Sequence, residues 1–138
     1  MMSVHEDCIL FLLAKAYQKT NANFKKRMEG YGVTPIQYLV LTVIMHNQGL
    51  SASEIGKILV LDNATLSGIL DRLADNGWIY KDTDDEDKRN LRISLTPKAT
   101  KQMDALMNEQ KTANEEILSP LNVEERLLLK RVLRDLQG

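Results

Sequence analysis

The chain is poor in several things at once. One cysteine in 138 residues, Cys8, leaves no partner for an internal disulfide and excludes a disulfide-stapled scaffold. Three prolines and seven glycines are few turn-formers, and aromatic residues make up only 5%. With abundant Leu, Ala, Lys and Glu, that points to a mostly helical protein. No apolar run approaches the roughly 18 residues that span a bilayer. The stretch from Ile9 to Ala14 is short and follows His5, Glu6 and Asp7 where a leader would carry basic residues. We therefore expect no membrane association and a cytoplasmic protein. An excess of charge is missing too: 18 Lys and Arg against 19 Asp and Glu leave a net charge of −1. Composition alone thus gives no basic signature of nucleic-acid binding. Hydrophobic residues at 43% and charged residues at 27% exclude a wholly disordered chain.

The usual catalytic signatures are also missing. There is no Gly-rich phosphate loop, no Ser-centred elbow and no His–carboxylate pair, so an enzyme is not expected. His5, Cys8 and His46 are the soft metal ligands, and their spacing matches no zinc motif. Neither a metal nor a cofactor is expected.

What the chain does have is helix caps. Ser3-Val4-His5-Glu6, Thr34-Pro35-Ile36-Gln37, Ser51-Ala52-Ser53-Glu54 and Asn122-Val123-Glu124-Glu125 all have capping-box spacing. The first predicts a helix from Ser3 to the glycines at 30 and 32, about 25 residues long. The second opens a helix from Pro35 to about His46 that is apolar on most sides, as a buried central helix is. The third opens a short helix carrying Ile55, Ile58 and Leu59. Asp62 caps the next, from Asn63 to about Asn76, with Leu66, Ile69, Leu70 and Leu73 on one face. Trp78 to Lys81 and Asn90 to Leu95 read as strands joined by a charged tip from Asp82 to Arg89. Thr96-Pro97 starts a helix that Ser119-Pro120 stops, and Asn122 opens the last.

Two short helices joined by the tight connection Val60-Leu61-Asp62, then a two-stranded hairpin, form the layout of a winged helix-turn-helix. The helix after the turn carries small or hydrogen-bonding residues outward: Asn63, Ala64, Thr65, Ser67, Gly68 and Arg72. A helix whose first turns read base edges in the major groove needs such residues. Ser51 and Ser53, at the start of the preceding helix, join them as candidates for DNA contact.

The run from Asp62 to Leu73, then Gly77-Trp78-Ile79, then Asp85 to Thr96 with its Asp87-x-Arg89 wing, resembles the MarR family of bacterial transcription regulators. The likeness runs essentially end to end. It implies a mainly α fold: a winged helix-turn-helix over residues 34–96 and a helical dimerisation domain built from residues 1–33 and 97–138. It further implies a homodimer that binds the two halves of a pseudo-palindromic operator in double-stranded DNA, as a repressor. That agrees with the terminal helices, whose apolar faces exceed what a chain this size readily buries alone. Release is expected by a small aromatic anionic ligand, with Tyr17, Phe24 and Tyr38 as candidate pocket residues, or by oxidation. The setting Cys8-Ile9-Leu10-Phe11 is similar to the start of the family's one-cysteine redox sensors, which makes Cys8 the candidate thiol. Two tyrosines that serve the cysteine in the hydroperoxide sensors are replaced here, by Phe24 and Pro35. The alternative reading from a different class is a helical protein-interaction module that does not touch DNA.

The wing completes the candidate set with Asp87, Lys88 and Arg89. A cation at a hairpin tip can enter a narrow minor groove, where the negative potential is enhanced. From Asp82 to Arg89, however, five acids face two bases, a balance of −3 that opposes a phosphate backbone. The reading of Asp87 as a brace for Arg89 therefore has a sharp test. Arg89→Ala should weaken DNA binding and leave the fold intact. Asp87→Ala should weaken it as well, although removing an acid ought to strengthen it on charge alone. Tighter binding by Asp87→Ala in fluorescence anisotropy at two salt concentrations, with no loss in Arg89→Ala, rejects the brace.

Overall fold

The computed structural model describes residues 1–83 and 91–138. In chain order the elements are α1 (Ile9–Met28), a 3-10 turn (Glu29–Tyr31), α2 (Pro35–His46), α3 (Ala52–Leu59), α4 (Asn63–Asp75), β1 (Ile79–Thr83), β2 (Leu91–Leu95), α5 (Pro97–Leu118) and α6 (Val123–Asp135). The architecture is mainly α with a winged helix-turn-helix, as the sequence predicts. The chain forms two compact units. One is Met28–Met107; the other joins Met1–Arg27 to Asn108–Gly138.

The Met28–Met107 unit is assembled from caps inward. Thr34 accepts from the Gln37 amide at 3.2 Å, and its own N–H donates to the Gln37 side chain at 2.9 Å. This box starts α2, which buries Tyr38, Val40, Leu41 and Ile44 completely. A second box between Ser51 and Glu54 starts α3, and Ile55 points inward from it. The α3–α4 turn closes tightly at Gly56, where an added Cβ would stand 3.2 Å from the Leu61 carbonyl oxygen. From α4, Leu66, Ile69, Leu70 and Leu73 enter the core at helical spacing.

The hairpin is antiparallel with Ile79 opposite Leu95, Lys81 opposite Ile93 and Asp82 opposite Arg92. Ile79, Ile93 and Leu95 are buried, whereas Tyr80, Asp82 and Arg92 are exposed. A further rung comes from before α3. Leu50 bridges Ile93, with the Ile93 amide on the Leu50 carbonyl and the Gly49 amide on the Ile93 carbonyl, both at 2.9 Å. That rung is non-local, and the sequence reading did not contain it.

Two boundaries differ from expectation. The first helix begins at Ile9, not Ser3. Half of the expected box forms, the Ser3 amide donating to Glu6 at 2.8 Å. But the Ser3 hydroxyl turns to His5 Nδ1 at 3.1 Å, and the Cys8 amide bonds His5, three residues back. That tight turn interrupts the ladder, which resumes when the Leu12 amide bonds Cys8. Second, β1 extends through Asp82 and Thr83, past the Lys81 end that the sequence pattern predicts. Asp82 opposite Arg92 is an opposite-charge cross-strand pair, and such a pair supports continued pairing.

The unit of the terminal segments has a small interior: Ala113 is its one buried side chain. Its order comes from ion pairs. Arg27 on α1 reaches Glu109 at 3.1 Å and also Glu116 on α5. The hydrogen bonds to Glu109 and Glu116 hold its guanidinium pKa above the ordinary arginine value. Arg126 closes the turn into α6 by donating to the Leu118 and Leu121 carbonyls at 3.1 and 3.0 Å and to Glu115 at 2.9 Å. By contrast, twelve large apolar side chains of α1, α6 and its cap are exposed, from Ile9, Leu10 and Leu12 to Leu127, Val132 and Leu136.

Candidate nucleic-acid interface

Helix α4 presents a graded surface. At about 100° per residue, its buried leucines and isoleucine fix one side, so Ala64 and Gly68 fall on the ridge farthest from the core. Asn63 and Ser67 flank that ridge on one side, Thr65 and Arg72 on the other. All six are exposed. Nothing stands within 4 Å of where a Gly68 Cβ would be. A glycine inside a helix costs about 1 kcal/mol relative to alanine, and here it gives a low ridge over which a groove wall could pass closely. Farther along, Asp71 and Asp75 stand on the same outward side, so only the first two turns are free of acid. Asp71 is partnered by Lys81 of β1 at 2.8 Å.

The start of α4 is held by Asp62. Its Oδ1 accepts from the Thr65 amide at 2.7 Å and its Oδ2 from the Thr65 hydroxyl at 2.9 Å. These bonds, the amide bond foremost, hold the Asp62 carboxyl below the usual aspartate range. The side chains of Asn63, Ser67 and Arg72 make no hydrogen bond among the described residues.

The candidates fall into separate places. Ser53, Asn63 and Ser67 come together around a recess of about 340 Å³ between α3, α4 and the hairpin, with Lys81 and Leu91 also in its wall. Ser51 is engaged in capping α3. Ala64, Thr65, Gly68 and Arg72 lie on the exposed side of α4 as described. Asp87, Lys88 and Arg89 lie outside the described residues. Lys57 and Lys81 are basic residues near this surface beyond those the sequence pattern points to. Lys81 alternates with Tyr80 and Asp82, a signal that it faces α4, but only the register settles it.

The other candidates belong elsewhere. Tyr17 lines a largely apolar cavity of about 520 Å³ in the terminal unit, together with Leu13, Thr20, Asn114, Lys130 and Leu133. Phe24 and Tyr38 are not in its wall. Tyr38 is fully buried in the Met28–Met107 unit, where burial raises its phenol pKa. Cys8 is a free, exposed thiol immediately before α1. Among the described residues no cluster of His, Cys, Asp and Glu could hold a metal ion, and no helix is long and apolar enough to cross a membrane.

Comparison with known proteins agrees with this geometry. The MarR family model matches residues 33–91. The HTH-type transcriptional repressor NicR of Pseudomonas putida is 29% identical over 123 residues, covering 89% of this chain and 78% of its own. A probable transcriptional regulator from Pseudomonas aeruginosa superimposes with a TM-score of 0.90 at 29% identity, covering 95% of this chain and 98% of that one. A mutant of Escherichia coli MarR, crystallised with operator DNA, has the same fold: TM-score 0.90, 21% identity, 99% of this chain and 100% of that one.

The Asp62 cap makes α4 sensitive to acid in a defined direction. A carboxyl whose pKa is lowered on folding adds stability that is present above its unfolded value, about 3.9, and is lost as pH falls through the lowered folded value. Asp62→Asn keeps the cap and removes the titration. The stability difference between native protein and Asp62→Asn should therefore be constant near neutrality and shrink as pH falls below about 4. Thermal melts of both proteins across that range measure it, and parallel curves throughout would refute the assignment.

Proposed function

Because the chain belongs to the MarR family of transcription regulators, we propose that it is a repressor that binds a pseudo-palindromic operator as a homodimer. Residues 34–96 serve as the DNA-binding domain, and residues 1–33 with 97–138 as the dimerisation domain. The observation that carries this reading is the surface of α4: a low Ala64–Gly68 ridge flanked by Thr65 and by Asn63, Ser67 and Arg72, the last three with side chains that make no hydrogen bond among the described residues. An α-helix of that profile fits the major groove with Asn63, Thr65, Ser67 and Arg72 able to reach base edges or phosphates. Support for the dimer comes from the exposed leucines of α1 and α6, which one copy leaves in water and a second copy can cover. At about 25 cal/mol per Å² of apolar surface, that covering is a strong drive to associate.

Release is by a small aromatic anion or by oxidation of Cys8. The cavity beside Tyr17 has the volume of a small-molecule site, with Lys130 in its wall. Cys8 is open to an oxidant. Peroxide should lower DNA affinity in the native protein and spare Cys8→Ser if the thiol is the sensor. An equal response of both proteins, or of neither, leaves the ligand.

Two measurements test the whole reading. Sedimentation should give about twice the 15.7 kDa chain mass at micromolar concentration, and a stable monomer would overturn the dimer. A duplex enriched by the native protein from a random-sequence pool then serves as the probe. On it, Arg72→Ala should lose about 1–3 kcal/mol if the guanidinium reads a base. If Arg72 binds phosphate, the salt slope should drop by about one. No change in either places Arg72 outside the interface.

A further inference from the structure

Val60 has φ +56°, the one non-glycine residue in the left-handed region among the described residues. It is also β-branched, which makes that conformation costly, because its Cβ crowds the neighbouring carbonyl. Helix ends that need this geometry ordinarily have Gly or Asn there. The turn itself does not require the side chain, since its closing bond runs from the Leu61 amide to the Gly56 carbonyl at 3.0 Å. Nor does the core gain from it: Val60 is 88% exposed. The fold thus carries the cost of this residue without a return from its own packing.

The surroundings point to an external contact. Val60 lines a shallow groove of about 520 Å³ with Ser53, Lys57 and Asn63. Its one acid, Asp62, is turned to Thr65, each carboxylate oxygen accepting one bond from it. What remains is a lysine, a hydroxyl and a carboxamide around two exposed methyl groups. That set complements a sugar–phosphate strand, in which the phosphate takes the donors and the deoxyribose face takes the apolar group.

We propose that Val60 is a DNA-contacting residue whose isopropyl group packs on a deoxyribose of the strand whose phosphate Lys57 and Ser53 hold. The proposal rests on the DNA-binding reading above and adds the helix-turn-helix turn itself to the interface. The test uses the same duplex enriched by the native protein. Val60→Gly should raise the thermal midpoint by about 2–4 °C as the strain is removed. It should nonetheless weaken binding about three- to tenfold, with the salt slope unchanged because no charge is lost. Val60→Asn, which adopts the left-handed conformation without the looseness of glycine, should lose affinity to a similar extent. Lys57→Ala should lower the salt slope by about one. Native affinity in Val60→Gly or in Val60→Asn overturns the contact, as does a thermal midpoint that fails to rise in Val60→Gly. Enrichment of no duplex by the native protein overturns the DNA reading and this proposal with it, whereas native binding matched by the Val60 variants strikes this contact alone.

Discussion

The orientation of α4 depends on a small knot of hydrogen bonds around Thr96. Its amide donates to the Trp78 carbonyl at 3.1 Å, and its hydroxyl donates to the Gly77 carbonyl at 2.6 Å. The same oxygen accepts from the Ala99 amide at 3.2 Å, capping α5. Lys98 adds a bond to the Asn76 carbonyl at 2.9 Å, and its ammonium lies 5.2 Å from the centre of the buried Trp78 ring. Carbonyls released at the end of α4 are thereby satisfied by the beginning of α5. The two strands that lie between them in sequence leave and return at one point. That closure ties the base of the hairpin to the end of α4, whose outward face is set by the leucines and isoleucine it buries.

Much of this was legible in the sequence because capping is local chemistry. Thr34, Ser51 and Asn122 each start a helix with the reciprocal bonds their spacing implies. Ser3 has the same spacing and fails, because its hydroxyl is drawn to His5 and the turn then tightens at Cys8. Spacing states which bonds are available; it does not state which competitor takes the oxygen. The rung between Leu50 and Ile93 was out of reach for another reason, since its partners are far apart in sequence and Leu50 stands outside any strand. The left-handed Val60 was hidden most completely, because a β-branched residue is the last that sequence reasoning would place there.

The candidate site divides along the same line. Outward residues of α4 followed from the period of its leucines, which the core confirms at Leu66, Ile69, Leu70 and Leu73. The basic residues Lys57 and Lys81 did not follow, because their relevance depends on which elements meet around α3, α4 and the hairpin. Aromatic candidates were the least legible. Tyr17 and Tyr38 are equivalent by composition, yet one is largely exposed beside a cavity and the other is sealed in a core.

The bond between Thr65 and Asp62 has a chemical consequence for what α4 can recognise. A free threonine hydroxyl is ambivalent, able to give its hydrogen to a carbonyl or take one from an amine. Here that hydrogen is already directed to the Asp62 carboxylate at 2.9 Å. The oxygen is left with lone pairs alone, so Thr65 becomes a one-way group. Under the proposed DNA-binding function it would accept from the exocyclic amines of adenine or cytosine and repel the bare oxygens of thymine and guanine. A residue that is chemically neutral in the alphabet of base recognition is thus given a polarity by the cap that starts its helix.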